Sequence, residues 1–174
     1  MEDISPELRG SKIFSKLDAA SGFHQILLEK ESRLLTTFIT LFGRYCFKRL
    51  PFGISSAPEI FQRKMTELLG ELKGVHVIID DILIHGRTME EHDRRLEEVL
   101  KLIEKSGIKL NAEKCEFRKK IIKYFGHIIS QEGIQPSKEI IEAILKLSAP
   151  SSVPDLRRLL GMIQYLRKYV LNLA

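Results

Sequence analysis

Residues Val77 to Ile84 read VIIDDILI, and the position of their two acids decides how the chain folds. Asp80 and Asp81 interrupt an otherwise apolar run. A buried carboxylate costs several kcal/mol unless it is paired or bound to a metal. Neighbours on a strand point to opposite faces, so an apolar core has no use for such a pair. A strand, a turn and a second strand resolve the conflict. The apolar arms enter a sheet, and the acids at or near the turn reach a cleft. Carboxylates displayed in this way hold divalent ions, usually Mg²⁺ with substrate phosphates. The competing reading of these eight residues is an Asp-Asp turn with no ligand.

The surrounding composition narrows the field. The chain has 174 residues, of which 44% are hydrophobic, enough for a core and too many for a disordered chain. No apolar run approaches the length that spans a bilayer, and the polar N-terminus MEDISPELRG is not a secretory signal. Cys46 and Cys115 lack CxxC spacing, which favours two buried packing residues in a reducing, intracellular compartment, cytoplasmic or nuclear. The net charge of +5 is unevenly spread: +2 over residues 1–74, −4 over 75–93 and +7 over 94–174. An acidic centre ahead of a basic half suits metal ions in one place and a polyanion along another. The plainer reading is that individual lysines solvate helix faces.

Strands and helices interleave along the chain. KIFSKLD (12–18) is a short strand that ends in Asp18, and Gln25 to Leu28 forms another after the Ser21-Gly22 turn. TTFIT (36–40) and RYCFKR (44–49) make a hairpin around Gly43. SAPE (56–59) is a capping box for a helix with Ile60, Phe61, Met65, Leu68, Leu69 and Leu72 inward. TMEE (88–91) caps a second helix, with Leu96, Val99, Leu100 and Ile103 inward and Gly107 at its end. Ile108 to Leu110 reads as a strand, and residues 121–129 as a hairpin or bent strand around Gly126. A helix opens at Pro136 and Ser137 with Ile140, Ile141, Ile144 and Leu145 inward. After APSSVP (149–154), the best boundary, a last helix carries Leu156, Leu159, Leu160, Ile163 and Leu166. The pattern is α+β: an antiparallel sheet with helices on one face, followed by a small helical appendage. The organisation expected is 1–148 for the main unit and 149–174 for the appendage.

Asp18, Asp80 and Asp81 stand at strand ends or turns. If their strands are neighbours, the carboxylates meet at one sheet edge and suit two divalent ions about 3.5–4 Å apart. No Walker-type glycine loop is present. His24, His76, His85, His92 and His127 show no HExxH or other ligand spacing, so no zinc site is expected.

Taken in order, these segments resemble the reverse transcriptase domain of gypsy-type LTR retrotransposons, relatives of the retroviral enzymes. FSKLDAASGFHQI resembles the first catalytic block and RLPFGISSAPEIFQ the block under template and nucleotide. VIIDDIL resembles the YxDD-type hairpin, GIKLNAEKCEF the lysine-bearing loop and YFGHIIS the primer grip. DLRRLLGMIQYLRKYV is similar to the start of the thumb and beyond. The resemblance covers nearly the whole chain and implies a polymerase palm with the second fingers segment, around the TTFIT and RYCFKR hairpin, over 1–148, and a partial helical thumb with the start of the following region over 149–174.

The resemblance also implies roles. Asp18, Asp80 and Asp81 would bind two Mg²⁺ ions. Phe23 would lie beneath the nucleotide sugar and select dNTPs, although its ring also suits core packing. Lys114 would sit near the triphosphate and protonate pyrophosphate, or be a surface lysine. Phe52, Gly53 and Gln62 would shape the nucleotide pocket, and Gly126 and His127 the primer site. The implied partners are dNTP and an RNA or DNA template with its primer, bound in a salt-sensitive way.

Two departures qualify these implications. Ile78 stands where the family commonly has an aromatic, which weakens primer-end contact and leaves metal binding intact. Only 17 residues precede Asp18, so the first fingers segment is expected to be missing, with residues 1–17 a remnant of it. Primer extension by the chain alone is then expected to be weak or absent. The missing fingers and RNase H regions of a parent polyprotein would be further partners. The alternative is a truncated or co-opted remnant that binds nucleic acid or a protein without catalysis.

Overall fold

The computed structural model describes residues 5–166 and Tyr169. The chain begins with α1 (Ser5–Leu8), β1 (Ile13–Asp18) and a 3₁₀ turn (Gly22–Gln25), followed by α2 (Lys30–Leu34) and the hairpin β2 (Phe38–Thr40) and β3 (Gly43–Tyr45). Next come α3 (Ala57–Leu69), β4 (Val75–Ile78), β5 (Asp81–Gly86) and α4 (Met89–Ser106). The rest comprises β6 (Glu116–Lys119), β7 (Ile122–Tyr124), β8 (His127–Ser130), β9 (Gly133–Pro136), α5 (Lys138–Leu145) and α6 (Val153–Leu166).

The central sheet is antiparallel with strand order β4-β5-β1-β6. Its two faces are covered by different layers. Leu17, Ile82 and Ile84 point to one face and pack with Phe61, Met65 and Leu69 of α3 and Val99 and Ile103 of α4. Phe14 and Leu83 point to the other and pack with Leu8 of α1 and with Ile122, Tyr124 and Ile129 of a three-stranded sheet, β7-β8-β9. Helices α3 and α4 therefore occupy one face, as the pattern predicts, and the opposite face is closed by the short α1 and a second sheet. Double coverage explains why DILI does not alternate: Ile82, Leu83 and Ile84 are all fully buried. Truncating one of these isoleucines or leucines to alanine removes about 2–5 kcal/mol.

Local chemistry sets the helix ends. In α4 the Thr88 hydroxyl accepts from the Glu91 N–H at 3.2 Å. The Glu91 carboxylate accepts from the Arg87 N–H at 2.7 Å, so the reciprocal bond lands one residue before the cap. Gly107 closes the helix in the left-handed region at φ 75°. The buried stripe of α4 is His92, Val99 and Ile103, with Leu100 partly exposed. His92 is accommodated because Ser15 Oγ meets its Nε2 at 2.8 Å and Asp93 Oδ1 its Nδ1 at 2.9 Å. The SAPE box does not form: Ser56 is already helical in backbone and makes no side-chain cap bond. Pro58 still sits in the first turn of α3, whose inward residues are Ala57, Phe61, Met65 and Leu69.

Two expected strands are absent. Gln25–Leu28 and 108–110 contribute only the isolated bridges Leu27 to Arg49 and Ala19 to Leu110. At 108–110 the Gln25 side chain intervenes. It accepts from the Lys109 N–H at 2.7 Å and donates to the Ala20 and Lys109 carbonyls at 2.6 and 3.0 Å, taking the backbone groups a ladder would use. The expected inward stripes remain largely exposed, at Ile141 and Leu145 in α5 and at Leu156, Leu160 and Ile163 in α6. Cys46 is exposed where burial was expected, while Cys115 is half-buried. Residues 147–152, between α5 and α6, carry no helix or strand. Among the described residues, no helix is long and apolar enough to cross a membrane.

Candidate active site

The β4–β5 hairpin pairs Ile78 with Asp81, which leaves Ile79 and Asp80 as a two-residue turn. Ile79 has φ 53°, a left-handed conformation that costs a β-branched residue about 1–3 kcal/mol. Several contacts hold the turn in that conformation. From α3, the Gln62 amide donates to the Val77 carbonyl at 3.0 Å, and its oxygen accepts from the Ile79 N–H at 2.7 Å. From the opposite face, the buried Tyr124 hydroxyl lies 3.3 Å from the carbonyl oxygens of His76 and Asp81. Burial and the Asp81 charge push the Tyr124 hydroxyl far up, so it stays a protonated donor. The Ala19 N–H donates to the Asp80 carbonyl at 2.8 Å.

The same junction brings the third acid in. Asp18 is paired directly with Asp81 across β1 and β5, so their side chains leave the same face of the sheet. The Asn111 N–H donates to the Asp18 carbonyl at 2.8 Å, which docks the loop carrying Lys114. Lys114 Nζ stands 3.8 Å from Asp18 Oδ2 with its side chain largely exposed. Desolvation, then the Asp18 and Asp81 charges, hold the Asp80 carboxyl above its ordinary range. Desolvation and Asp18 do the same to Asp81, against the lowering pull of Lys16 and Lys114.

Asp80 Oδ1 is, among the described residues, the one buried side-chain polar atom without a hydrogen-bond partner. It lies in a cradle made by Gly22. A Cβ at that position would overlap Oδ1 and stand 2.8 Å from Phe61 Cζ. A buried, unpartnered carboxylate oxygen beside two more acids is the donor set of a hard divalent cation. The three aspartates share one sheet edge, but their oxygens do not lie mutually within 4.8 Å. Among the described residues, only Glu7, His76 and His85 form a ligand group that tight.

The other expected site residues fall into three places. Phe23, on the 3₁₀ turn, packs its ring 5.2 Å from Phe52 and edge-on 5.8 Å from Phe61. Phe52 is exposed and also meets His24 at 4.9 Å, while Gly53 beside it takes φ 90°, a glycine conformation. Gln62 sits behind the acids with its amide spent on the hairpin backbone. Gly126 forms the β7–β8 turn with Phe125, both at positive φ. His127 is buried, and its Nδ1 is hydrogen-bonded to the Tyr169 hydroxyl. Sequence reasoning missed Tyr124 and Gly22 as parts of the site. Gly22 signalled only a turn, and its real constraint is the approach of Asp80.

A palm-like domain, with an antiparallel sheet backed by helices and three acids at one edge, is the class that fold and site define. The sequence matches the family described as Reverse transcriptase (RNA-dependent DNA polymerase) over residues 2–129, and the chain belongs to that family. It is 36% identical over 176 residues to the retrovirus-related Pol polyprotein from transposon 297 of Drosophila melanogaster, covering all of this chain and 17% of that protein. It is 38% identical to the Pol polyprotein from transposon opus of the same species, with 96% and 17% covered. The transposon Tf2-3 polyprotein of Schizosaccharomyces pombe is 36% identical, with 98% and 13% covered. The chain thus spans 13–17% of the length of these curated relatives. Among solved structures, the foamy viral protease-reverse transcriptase in complex with double-stranded DNA superposes at TM-score 0.89. That match is 27% identical and covers 98% of this chain and 30% of the other. The foamy viral enzyme in complex with an RNA/DNA hybrid superposes at 0.77, also at 27% identity, with 90% and 21% covered. The expected kinship with LTR-retrotransposon reverse transcriptases and the expected fold are both borne out.

Proposed function

We propose that the chain supplies the palm, second fingers segment and start of the thumb of an RNA-directed DNA polymerase. The palm with that fingers segment occupies 1–148 and the thumb begins within 149–174. The reaction is transfer of a nucleotide from a dNTP to a primer 3′-OH on an RNA or DNA template. One observation carries the reading: Asp18 lies opposite Asp81, and Asp80, in the β4–β5 turn beside it, presents a buried, unpartnered oxygen. Asp18, Asp80 and Asp81 would hold two Mg²⁺ ions. Bound there, the ions would supply the charge neutralisation that phosphoryl transfer requires.

The chain's own groups do the rest. Phe23, braced by Phe52 and Phe61, is the wall beneath the nucleotide sugar that excludes a 2′-OH. Phe52 and Gly53 border the nucleotide, and Gln62 shapes that pocket by holding the hairpin backbone. Lys114 Nζ, beside Asp18, holds a proton for the departing pyrophosphate. Gly126 and His127 position the primer backbone, and the basic C-terminal half meets phosphates. The complexes of the foamy viral relatives with duplex and hybrid support nucleic acid as the partner.

Single-nucleotide incorporation on a primer-template in Mg²⁺ tests the reading. Weak incorporation, lost in Asp80→Asn, is expected. Incorporation that survives Asp80→Asn overturns the assignment of the acids. Salt-sensitive duplex binding with no incorporation by either protein marks the chain as a binding domain without catalysis.

A further inference from the structure

The hairpin that carries Asp80 and Asp81 also carries a second ligand cluster nearer its open end. His76 lies four residues before Asp80 and His85 four after Asp81. Because His76 pairs with Leu83, the two histidines are diagonal neighbours on the sheet face opposite α3 and α4. Their Nε2 atoms are 3.1 Å apart, with the rings parallel to within 2°. Glu7 of α1 reaches over them and brings a carboxylate oxygen 3.5 Å from His76 Nε2. All three ligand atoms lie within 4.8 Å of one another.

We propose that Glu7, His76 and His85 form a binding site for a zinc-class divalent ion, separate from the aspartate edge and independent of the polymerase reading. The spacing suits that chemistry. Metal–ligand bonds of about 2.0–2.1 Å in a tetrahedron place donors about 3.3 Å apart. The His–His and His–Glu separations fall either side of that value. The support behind the ligands points the same way. His85 is 3% exposed, and its Nδ1 meets the buried Ser11 hydroxyl at 2.7 Å. With Nδ1–H donated to Ser11, the His85 Nε2 lone pair faces the cluster, the arrangement that orients a metal-bound imidazole. In that tautomer His85 Nε2 would accept the His76 Nε2 proton across the 3.1 Å contact, and ion binding would require that proton on His76 Nδ1, which frees both lone pairs. The fourth position opens into a cavity of about 520 Å³ lined by Glu7, Ser11, His85 and Arg95.

The donor set decides which ion. Two imidazoles and one carboxylate select zinc, nickel or copper, whereas Mg²⁺ prefers oxygen alone. The charges around the cavity temper affinity: Lys73, Arg87 and Arg95 line it with Glu91. Arg95 is engaged by Glu91 at 2.8 Å and by the His85 carbonyl at 2.7 Å. A micromolar site is therefore expected. Its occupant ties α1 to both strands of the catalytic hairpin and braces it from the end away from the acids.

The test is calorimetric titration of the full chain with Zn²⁺ in excess Mg²⁺, joined to Co²⁺ absorption spectroscopy. One ion per chain is expected, with a rise in Tm and a tetrahedral Co²⁺ spectrum free of sulfur charge-transfer bands. His76→Gln abolishes binding, and Glu7→Gln, at an exposed position that does not endanger folding, weakens it at least about tenfold. Asp80→Asn and a Cys46→Ser, Cys115→Ser double variant leave it unchanged. No saturable binding at micromolar Zn²⁺, binding indifferent to both Glu7→Gln and His76→Gln, or a Co²⁺ spectrum with thiolate bands overturns the site.

Discussion

Gly22→Ala adds one methyl group where three parts of the site meet. The new Cβ would overlap Asp80 Oδ1 and lie 2.8 and 3.1 Å from Phe61 Cζ and Cε1. Carbon atoms rest at about 3.5–4.0 Å, so roughly 0.7 Å of clearance is missing on the Phe61 side alone. Phe61 cannot readily supply it, because it is 2% exposed and packed into the helix-side core. The strain therefore falls on the Asp80 carboxylate or on the Gly22–Gln25 turn that carries Phe23. Either response moves a proposed reactive or positioning group by about 1 Å, a displacement worth about 10²-fold in rate. Overpacking costs about 1–3 kcal/mol, and each kcal/mol lowers Tm by about 2–4 °C at this chain length. The assay is single-nucleotide incorporation in Mg²⁺ beside a thermal melt, with the Mg²⁺-induced rise in Tm as a readout independent of turnover. Incorporation should fall about a hundredfold and the Mg²⁺ effect should vanish, while the protein still melts cooperatively. A variant with wild-type Tm, Mg²⁺ response and incorporation would refute the close approach of Asp80 to Gly22 and the cradle built on it.

Gln62→Met removes both bonds that hold the strained turn; it should cost about 1–3 kcal/mol in urea unfolding and depress incorporation without weakening duplex binding. Asp80→Asn should raise the Tm of the metal-free protein at neutral pH while abolishing incorporation. Its raised pKa means that the folded state disfavours the ionised form, so the penalty is absent at low pH and grows as pH rises, and the Tm gain should shrink on acidification. Burial, then His76 and Arg95, lower the His85 imidazole from 6.5 to about 4. The unfolded chain takes up that proton first as pH falls, so this contribution, up to about 3 kcal/mol, is complete above 6.5 and lost towards pH 4. Urea unfolding in EDTA across that range, compared with His85→Gln, should show the loss in the wild type and a flatter profile in the variant.

What was legible in the sequence shares a physical origin. VIIDDILI disclosed strand, turn and strand because apolar arms and adjacent acids cannot both be buried, and the structure places Asp80 in the turn and Asp81 at the start of β5. The helix stripes of α3 and α4 were legible for the same reason, since burial leaves a periodic mark. Contacts across long sequence separations leave none. Gln62 binds backbone fifteen and seventeen residues away, and Tyr124 reaches the hairpin from the second sheet, although neither side chain departs from an ordinary helix or strand residue in pattern. SAPE satisfied the capping rule in letters, but the Ser56 backbone was already helical.

The histidines make the sharper case. Spacing rules such as HExxH find ligands on one helix face, whereas His76 and His85 become neighbours only through the register of β4 on β5. That register also determines the turn, since sliding β4 by one residue would send Ile78 and His76 to the helix face and break the Gln62 contacts together. The aspartate edge and the histidine cluster are thus two readouts of one strand alignment. A substitution that perturbs the register should disturb both sites at once, whereas Glu7→Gln or Gly22→Ala should disturb only one. Measuring Zn²⁺ and Mg²⁺ responses in all three kinds of variant separates alignment from local chemistry. Loss of the Mg²⁺ response alone in a register-shifting variant would contradict the shared alignment.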